Sequence, residues 1–380
     1  MDHDKKKPET LAAQGLGWID EHTKAVAPPL HASSTFLRDP DNQYRSGRSY
    51  ARTDNPAFDQ PEQLLAALEK GEAAMLFASG MAAATSVFQA LRPGDHVVAP
   101  TVMYWSFRHW LRDFADRWGL GVDFVDMTDL GAVKGALRPG KTALVWVETP
   151  ANPLWHIFDI DAIGRLAHGA GARMVVDSTV ATPVFTQPLA LGADIVMHSA
   201  TKYLNGHSDL LAGALVTRQK DEAWARIAAV RTQQGGILGS FESWLLLRGM
   251  RTLFPRVRAA AANAQYLAEA LVKHPRVGQV LYPGLPDSPG HAVAARQMAG
   301  GFGAMLSIRV KGGEAAAIAT AARVQIWKRA TSLGGVESLL EQRASVEGPD
   351  TPCPPDLLRL SVGIEDKSDL LADLDQALSS

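Results

Sequence analysis

Only one of the 380 residues is a cysteine, Cys353, so the chain can hold no internal disulfide framework and fits a reducing compartment. That cysteine stands in the proline-rich stretch Thr351-Pro352-Cys353-Pro354-Pro355 and reads as incidental. An excess of charge of one sign is also missing. Lysine and arginine number 38 against 40 acidic residues, which leaves no electrostatic footprint for nucleic acid or an anionic membrane. No uninterrupted apolar run reaches membrane-spanning length. The cluster Lys5-Lys6-Lys7 precedes no long apolar core, which argues against a secretory signal and makes the cytoplasm the expected location. Internal repeats and low-complexity segments are absent as well. No Gly-x-Gly-x-x-Gly turn follows the first apolar strand, which excludes a nucleotide-binding module of that kind. The expected partners are small molecules and further copies of the chain.

What remains is an ordinary globular composition, 46% hydrophobic and 21% charged, in a chain long enough for one large and one small domain. Met1 to Thr10 is charged and reads as mobile, and Glu21 to Pro56 reads as an extended arm too polar to form core alone. Pro61 to Leu68 opens a helix, with Leu64, Leu65 and Leu68 on one face. From Ala73 to Val216 short apolar runs at Val97-Val98-Ala99, Leu144 to Val147, Met174 to Val176 and Ile195 to Met197 alternate with helical segments such as Ile160 to His168. Continuous apolar strands of that kind belong to a mostly parallel sheet covered on both faces. A helical stretch from Phe241 to His274, bent at Pro255, leads to a second domain with an alternating segment at Ala304 to Val310 and a final helix from Asp366 to Leu378. The expected division is an arm over residues 1–56, a large domain over 57–245 and a small α/β domain over 246–380.

Three apolar runs end in polar residues: Glu148-Thr149, Asp177-Ser178 and His198-Ser199. In open parallel sheets ligands bind beyond the carboxyl ends of the strands. Lys202 follows the third run, in His198-Ser199-Ala200-Thr201-Lys202-Tyr203. Desolvation favours the neutral amine of a lysine in an interior, and a neutral amine can form a Schiff base with a carbonyl. Ala78-Ser79-Gly80-Met81-Ala82 follows the strand-like Met75 to Phe77 and opens a helix, so the N–H groups of Gly80 and Met81 can face an anion. With the hydroxyls of Ser199 and Thr201 this makes a phosphate cradle. A phosphate, an aldehyde that lysine captures and a pyridine nitrogen that needs an acid, for which Asp177 is available, together describe pyridoxal 5'-phosphate, with Tyr104 as a ring to stack on it. His207 near Lys202 has no second ligand at metal spacing, so no metal is expected.

The chain resembles the cysteine/methionine-metabolism family of pyridoxal-phosphate enzymes, which includes cystathionine γ-synthase, cystathionine γ-lyase, cystathionine β-lyase and methionine γ-lyase. The resemblance runs from about Pro28 to Leu378. It rests on Tyr50-Ala51-Arg52 with Asn55-Pro56, Ser79 to Ala83, Glu148 to Pro153, Asp177-Ser178-Thr179, Ser199 to Asp209, Ser332 to Ser338 and Arg359 to Gly363. It implies an aspartate-aminotransferase-like (fold type I) α/β fold and a homotetramer built from two active dimers. It also implies a cofactor site of Tyr50 and Arg52 from the adjacent subunit's arm, Ser79, Gly80, Met81, Ser199 and Thr201 on the phosphate, Tyr104 stacking, Asn152 near the ring hydroxyl, Asp177 on the ring nitrogen and Lys202 carrying the cofactor. Arg359 matches the clamp on the substrate α-carboxylate, aided by the backbone of Ser332. Lys202, Tyr104 and Asp177 are the implied catalytic groups.

Departures from the family pattern fall in the substrate pocket. Tyr104 is followed by bulky Trp105 and Phe107, which points to a tighter distal pocket; Thr331 stands where cystathionine-handling members often carry Glu; Ser178 replaces a frequent Asn. Glu341-Gln342-Arg343 replaces a usual His-Pro, and Arg343 reads either as a ligand for a distal carboxylate or as a surface ion pair. Leu333 resembles γ-type members. The expected activity is therefore cystathionine γ-synthase/γ-lyase-like, with a cystathionine β-lyase or other cysteine-conjugate C–S β-lyase as the alternative. An aminotransferase of the same fold would share Lys202, Asp177 and Arg359 but lack the Tyr-x-Arg arm and the Ser332 to Ser338 motif.

Overall fold

A computed structural model describes residues 5–348 and 351–379. Met1 to Asp4 of the segment read as mobile lie outside the described residues. Its remainder is not irregular, because Pro8–Gln14 forms a helix that buries Leu11 and Ala12. Among the described residues twelve strands follow in chain order: β1 Ala73–Phe77, β2 His96–Pro100, β3 Gly121–Val125, β4 Thr142–Glu148, β5 Arg173–Asp177, β6 Ile195–His198, β7 Gly213–Thr217, β8 Val277–Leu281, β9 Met305–Val310, β10 Lys328–Arg329, β11 Leu339–Gln342 and β12 Leu357–Ser361. The four apolar runs picked out in the first half of the sequence lie in β2, β4, β5 and β6. The chain divides into two compact units. One contains residues 1–91 and 194–254, the other 92–193 and 255–380.

In the first unit β7 lies between β1 and β6 and is antiparallel to both. The helix Pro56–Glu69 packs on β1 and begins five residues earlier than the leucine periodicity indicates. Asn55 explains the earlier start: its Oδ1 accepts from the N–H of Ala57, and Pro56 occupies the first helical position, where a missing N–H costs nothing. Asn55 is buried and its Nδ2 also donates to the carbonyl of Ser33, which ties the segment before it to the helix. That segment carries an isolated bridge between Thr35 and Tyr50 and is mostly exposed.

In the second unit β5, β4, β2 and β3 are neighbours in that order and all parallel. Val97, Val98, Ala99, Leu144 to Val147 and Met174 to Val176 are all buried, as strands covered on both faces require. A second sheet in this unit has the order β10-β11-β12-β9-β8, antiparallel except for the β10–β11 pair. The helix Gly313–Arg323 packs on it and on the helix Lys367–Ser379. Two expectations change here. Met305 to Ile308 is buried at every position rather than alternating, because β9 is an interior strand. The long helix is not bent at Pro255: one helix ends at Met250, another begins at Leu253, and Pro255 stands in the first turn of the second, where its lack of an N–H is tolerated.

Glu62 links the helix Pro56–Glu69 to β1, since its Oε1 accepts from the N–H of Leu76 at 2.8 Å. Arg231 lies 3.7 Å away, with its guanidinium over the rings of Phe58 and Phe77. Burial outweighs Arg231 and pushes the Glu62 carboxyl up to about 7. Above its ordinary value of 4.5 the unfolded chain releases this proton while the folded chain keeps it, so stability falls as pH rises from about 4.5 to about 7. Glu62→Gln removes the titration. The stability difference between wild type and Glu62→Gln should shift by about 1.4 kcal/mol per pH unit in that window, against the wild type as pH rises. Urea denaturation at several pH values measures this, and parallel stability curves would contradict the assignment.

Candidate active site

The first unit places the phosphate-type residues together. Ser79 caps the helix Gly80–Gln89, its Oγ accepting from the N–H of Ala82 at 3.0 Å. Its carbonyl accepts from Ala83, so the N–H groups of Gly80 and Met81 are the outward donors of that N-terminus. A Cβ on Gly80 would come within 2.8 Å of both Cβ and Oγ of Ser199, so only glycine lets the turn and the loop after β6 approach so closely. Gly213 serves the same end from β7, where a Cβ would meet the Ser79 carbonyl oxygen at 2.1 Å. Thr201 is held differently: its Oγ1 donates to the Ala212 carbonyl and accepts from the Ala212 N–H, at 3.1 and 2.9 Å. This hydroxyl shapes the loop, and its single proton is already engaged.

Lys202 follows in the same loop, with its N–H on the Ser199 carbonyl and its own carbonyl accepting from Gly206. The strand before the loop is pinned by a group that the sequence reading passed over. His198 Nε2 meets Glu69 Oε1 at 2.6 Å, and both side chains are fully buried. His207 Nδ1 is bonded to the Asn205 carbonyl at 2.7 Å, and among the described residues no group of three or more His, Cys, Asp and Glu is placed to hold a metal ion. Tyr50 is half exposed, and Arg52 spans its ring at 5.7 Å while Nη1 donates to the Thr232 carbonyl at 2.9 Å.

The second unit places the ring-type and carboxylate-type residues. Glu148 and Asp177 are register partners at the ends of parallel β4 and β5. Glu148 accepts from the N–H of Tyr104 at 2.7 Å and from that of Asn152 at 3.1 Å, which fixes the two loops bearing those residues. Burial first, and the charge of Asp177 second, push the Glu148 carboxyl up to about 8 despite the two N–H donors. Asp177 Oδ1 accepts from the N–H of Thr179. Tyr104 precedes the helix Trp105–Trp118 and is partly exposed. Phe107 does not tighten a pocket as its bulk implied. It is buried against the Trp146 ring at 4.8 Å, on the inward face of that helix.

Arg359 is 3% exposed on β12. It donates to the Ser332 carbonyl at 2.9 Å, to Asn152 Oδ1 at 3.3 Å and to Glu341 Oε2 at 2.8 Å. Ser332 holds this carbonyl in place from a left-handed backbone conformation, φ 99°. Burial lowers the Arg359 pKa to about 10, which still leaves it charged at neutral pH. Glu341 was not read from the sequence as a site residue; its cross-strand pairing with Arg359 was the missing signal. Arg343 is not a surface ion pair, because it is 2% exposed and bonded to Glu341 and Glu347. Burial pushes the nearby Cys353 thiol up to about 12, so it is not a thiolate at neutral pH.

These donors fit pyridoxal phosphate on their own chemistry. A glycine-tight helix N-terminus suits its phosphate, a lysine follows in the adjoining loop, and a carboxylate pair with one neutral member suits a ring nitrogen.

The model of the Cys/Met metabolism PLP-dependent enzyme family matches residues 9–379. The chain is 47% identical to a cystathionine gamma-synthase of Mycobacterium bovis over 98% of its length and 96% of that protein. It is 41% identical to a cystathionine gamma-lyase of Bacillus subtilis over 98% of its length and all of that protein. Its structure is similar to that of cystathionine gamma synthase from Xanthomonas oryzae pv. oryzae in complex with aminoacrylate and cysteine, with a TM-score of 0.94, 38% identity and 98% of each chain covered. The fold is that of the fold-type-I pyridoxal-phosphate enzymes. Tight turn, loop lysine, carboxylate pair and guanidinium clamp thus have one explanation: this chain belongs to the Cys/Met metabolism PLP-dependent enzyme family.

Proposed function

We propose that this protein makes or breaks the Cγ–S bond of a sulfur amino acid, as a γ-synthase or γ-lyase. Near full-length identity of 47% to a cystathionine gamma-synthase and 41% to a cystathionine gamma-lyase is the observation that carries this reading. When bound, pyridoxal 5'-phosphate supplies the carbonyl that captures an amine and the ring that withdraws electrons.

The protein's own groups do the rest. Gly80 and Met81 N–H groups with the Ser199 hydroxyl hold the phosphate, with Ser79 and Thr201 shaping the turn and loop around it. Tyr50 and Arg52 of the arm serve the phosphate of the adjacent subunit in a homotetramer of two active dimers; the arm is residues 1–56, the large domain 57–245 and the small domain 246–380. For a bound cofactor, Asp177 would partner the ring nitrogen and favour its protonated form, Tyr104 would cover the ring face and Asn152 would stand near the ring hydroxyl. Arg359, with Ser332, is the residue proposed to bind the substrate α-carboxylate, as a fixed positive charge. Lys202 would hold the cofactor, and its free amine would take the Cα proton. Tyr104 and Lys202 are the two candidates for passing a proton to the departing sulfur. The cytoplasm is the proposed location, and no helix among the described residues is long and apolar enough to cross a membrane.

Incubating the cofactor-loaded protein with cystathionine, with methionine, and with O-activated homoserine plus cysteine tests the reaction type. The γ reading expects 2-oxobutanoate or cystathionine as product, whereas pyruvate with homocysteine would establish β-elimination instead. Lys202→Ala should abolish the visible absorption band of the loaded protein and lower turnover by on the order of a thousandfold. An unchanged spectrum would refute the assigned role of this lysine.

A further inference from the structure

The buried network that holds Arg359 is larger than a carboxylate clamp requires. Glu341 Oε2 accepts from Arg359 Nη2 at 2.8 Å and also from Arg343 Nη1 at 3.1 Å, so one oxygen is shared by two guanidinium groups. Arg343 Nε donates to Glu347 Oε1 at 2.8 Å, and Glu347 Oε2 accepts from the Thr351 hydroxyl at 2.5 Å. The Arg343 side chain is 2% exposed, that of Glu347 2% and that of Glu341 10%. Two guanidinium groups and two carboxylates sum to zero formal charge, which a dry environment demands. Arg343 Nη2 makes no hydrogen bond among the described residues.

Glu341 and Arg359 face one another across β11 and β12, and a carboxylate with a single partner can swing about its side-chain torsions. A second donor on the same oxygen fixes that oxygen. Arg359 Nη2 is then held from two sides, by Glu341 and by the Ser332 carbonyl, which fixes the plane of the guanidinium. A group misplaced by about 1 Å in such a clamp can lose on the order of a hundredfold in efficiency.

We propose that Arg343 is a positioning residue for substrate recognition: through the shared oxygen of Glu341 it orients Arg359 for a carboxylate. The proposal rests on the reading of Arg359 as the ligand of the substrate α-carboxylate. Arg343 does not itself touch substrate, so its loss weakens carboxylate binding and leaves the bond-making groups intact.

The test uses cofactor-loaded protein and propionate as a simple carboxylate, with propionamide as its uncharged counterpart. Propionate should inhibit the wild type competitively. Arg359→Lys should raise its inhibition constant at least tenfold. Arg343→Met with Glu347→Gln keeps the cluster neutral and so retains the fold. In that variant the propionate constant and the KM for the amino-acid substrate should both rise at least fivefold, with kcat within twofold and propionamide unaffected. Arg343→Lys, which keeps the charge but loses the fork, should fall between. If Arg359→Lys raises the constant while both Arg343 variants match the wild type, Arg343 only supports the fold and the proposal fails alone. If propionate does not inhibit the wild type, or Arg359→Lys leaves it unchanged, the reading of Arg359 fails and the proposal goes with it.

Discussion

Two carboxyl groups meet at the ends of adjacent parallel strands, one of them buried, and the loops around them in the second unit depend on how that conflict is met. Glu148 and Asp177 are register neighbours on β4 and β5. The conflict is relieved by raising Glu148, whose burial and negative neighbour hold its proton at neutral pH. A neutral Glu148 still accepts the N–H groups of Tyr104 and Asn152, so it acts as a brace for two loops. One buried carboxyl group thus positions both Tyr104 and Asn152.

The first unit solves a different problem, that of bringing backbone close enough to cradle a phosphate. It does so by omission of side chains. Gly80 admits Ser199 at a distance no other residue would allow, and Gly213 admits the Ser79 carbonyl in the same manner. The buried His198–Glu69 bond then anchors the strand that delivers Ser199, Thr201 and Lys202. Thr201 ties the loop to the residue before β7, its hydroxyl bonded to both the carbonyl and the N–H of Ala212.

Much of this was legible in advance because local rules and tertiary demands agree. Fully apolar runs such as Leu144 to Val147 can only be strands covered on both faces, and the glycine after Ser79 marks a helix start that tolerates no side chain. Legibility failed where a partner distant in sequence decides the outcome. The helix at Pro56 starts early because Asn55 caps it, a signal masked by the polar segment preceding it. Phe107 looked like a pocket residue until Trp146, 39 positions away, took it into the core. Arg343 reads from the sequence as either a ligand for a distal carboxylate or a surface ion pair, yet it is buried and bonded to Glu341 and Glu347. Charge pairing across strands has no periodicity to reveal it, which is why Glu341 went unread.

The account stands on a covalent link at one lysine. Borohydride reduction of the cofactor-loaded protein, followed by proteolysis and mass mapping, should place the added pyridoxyl phosphate mass on the peptide containing Lys202. That mass on a peptide from any other lysine, or on none, would contradict it.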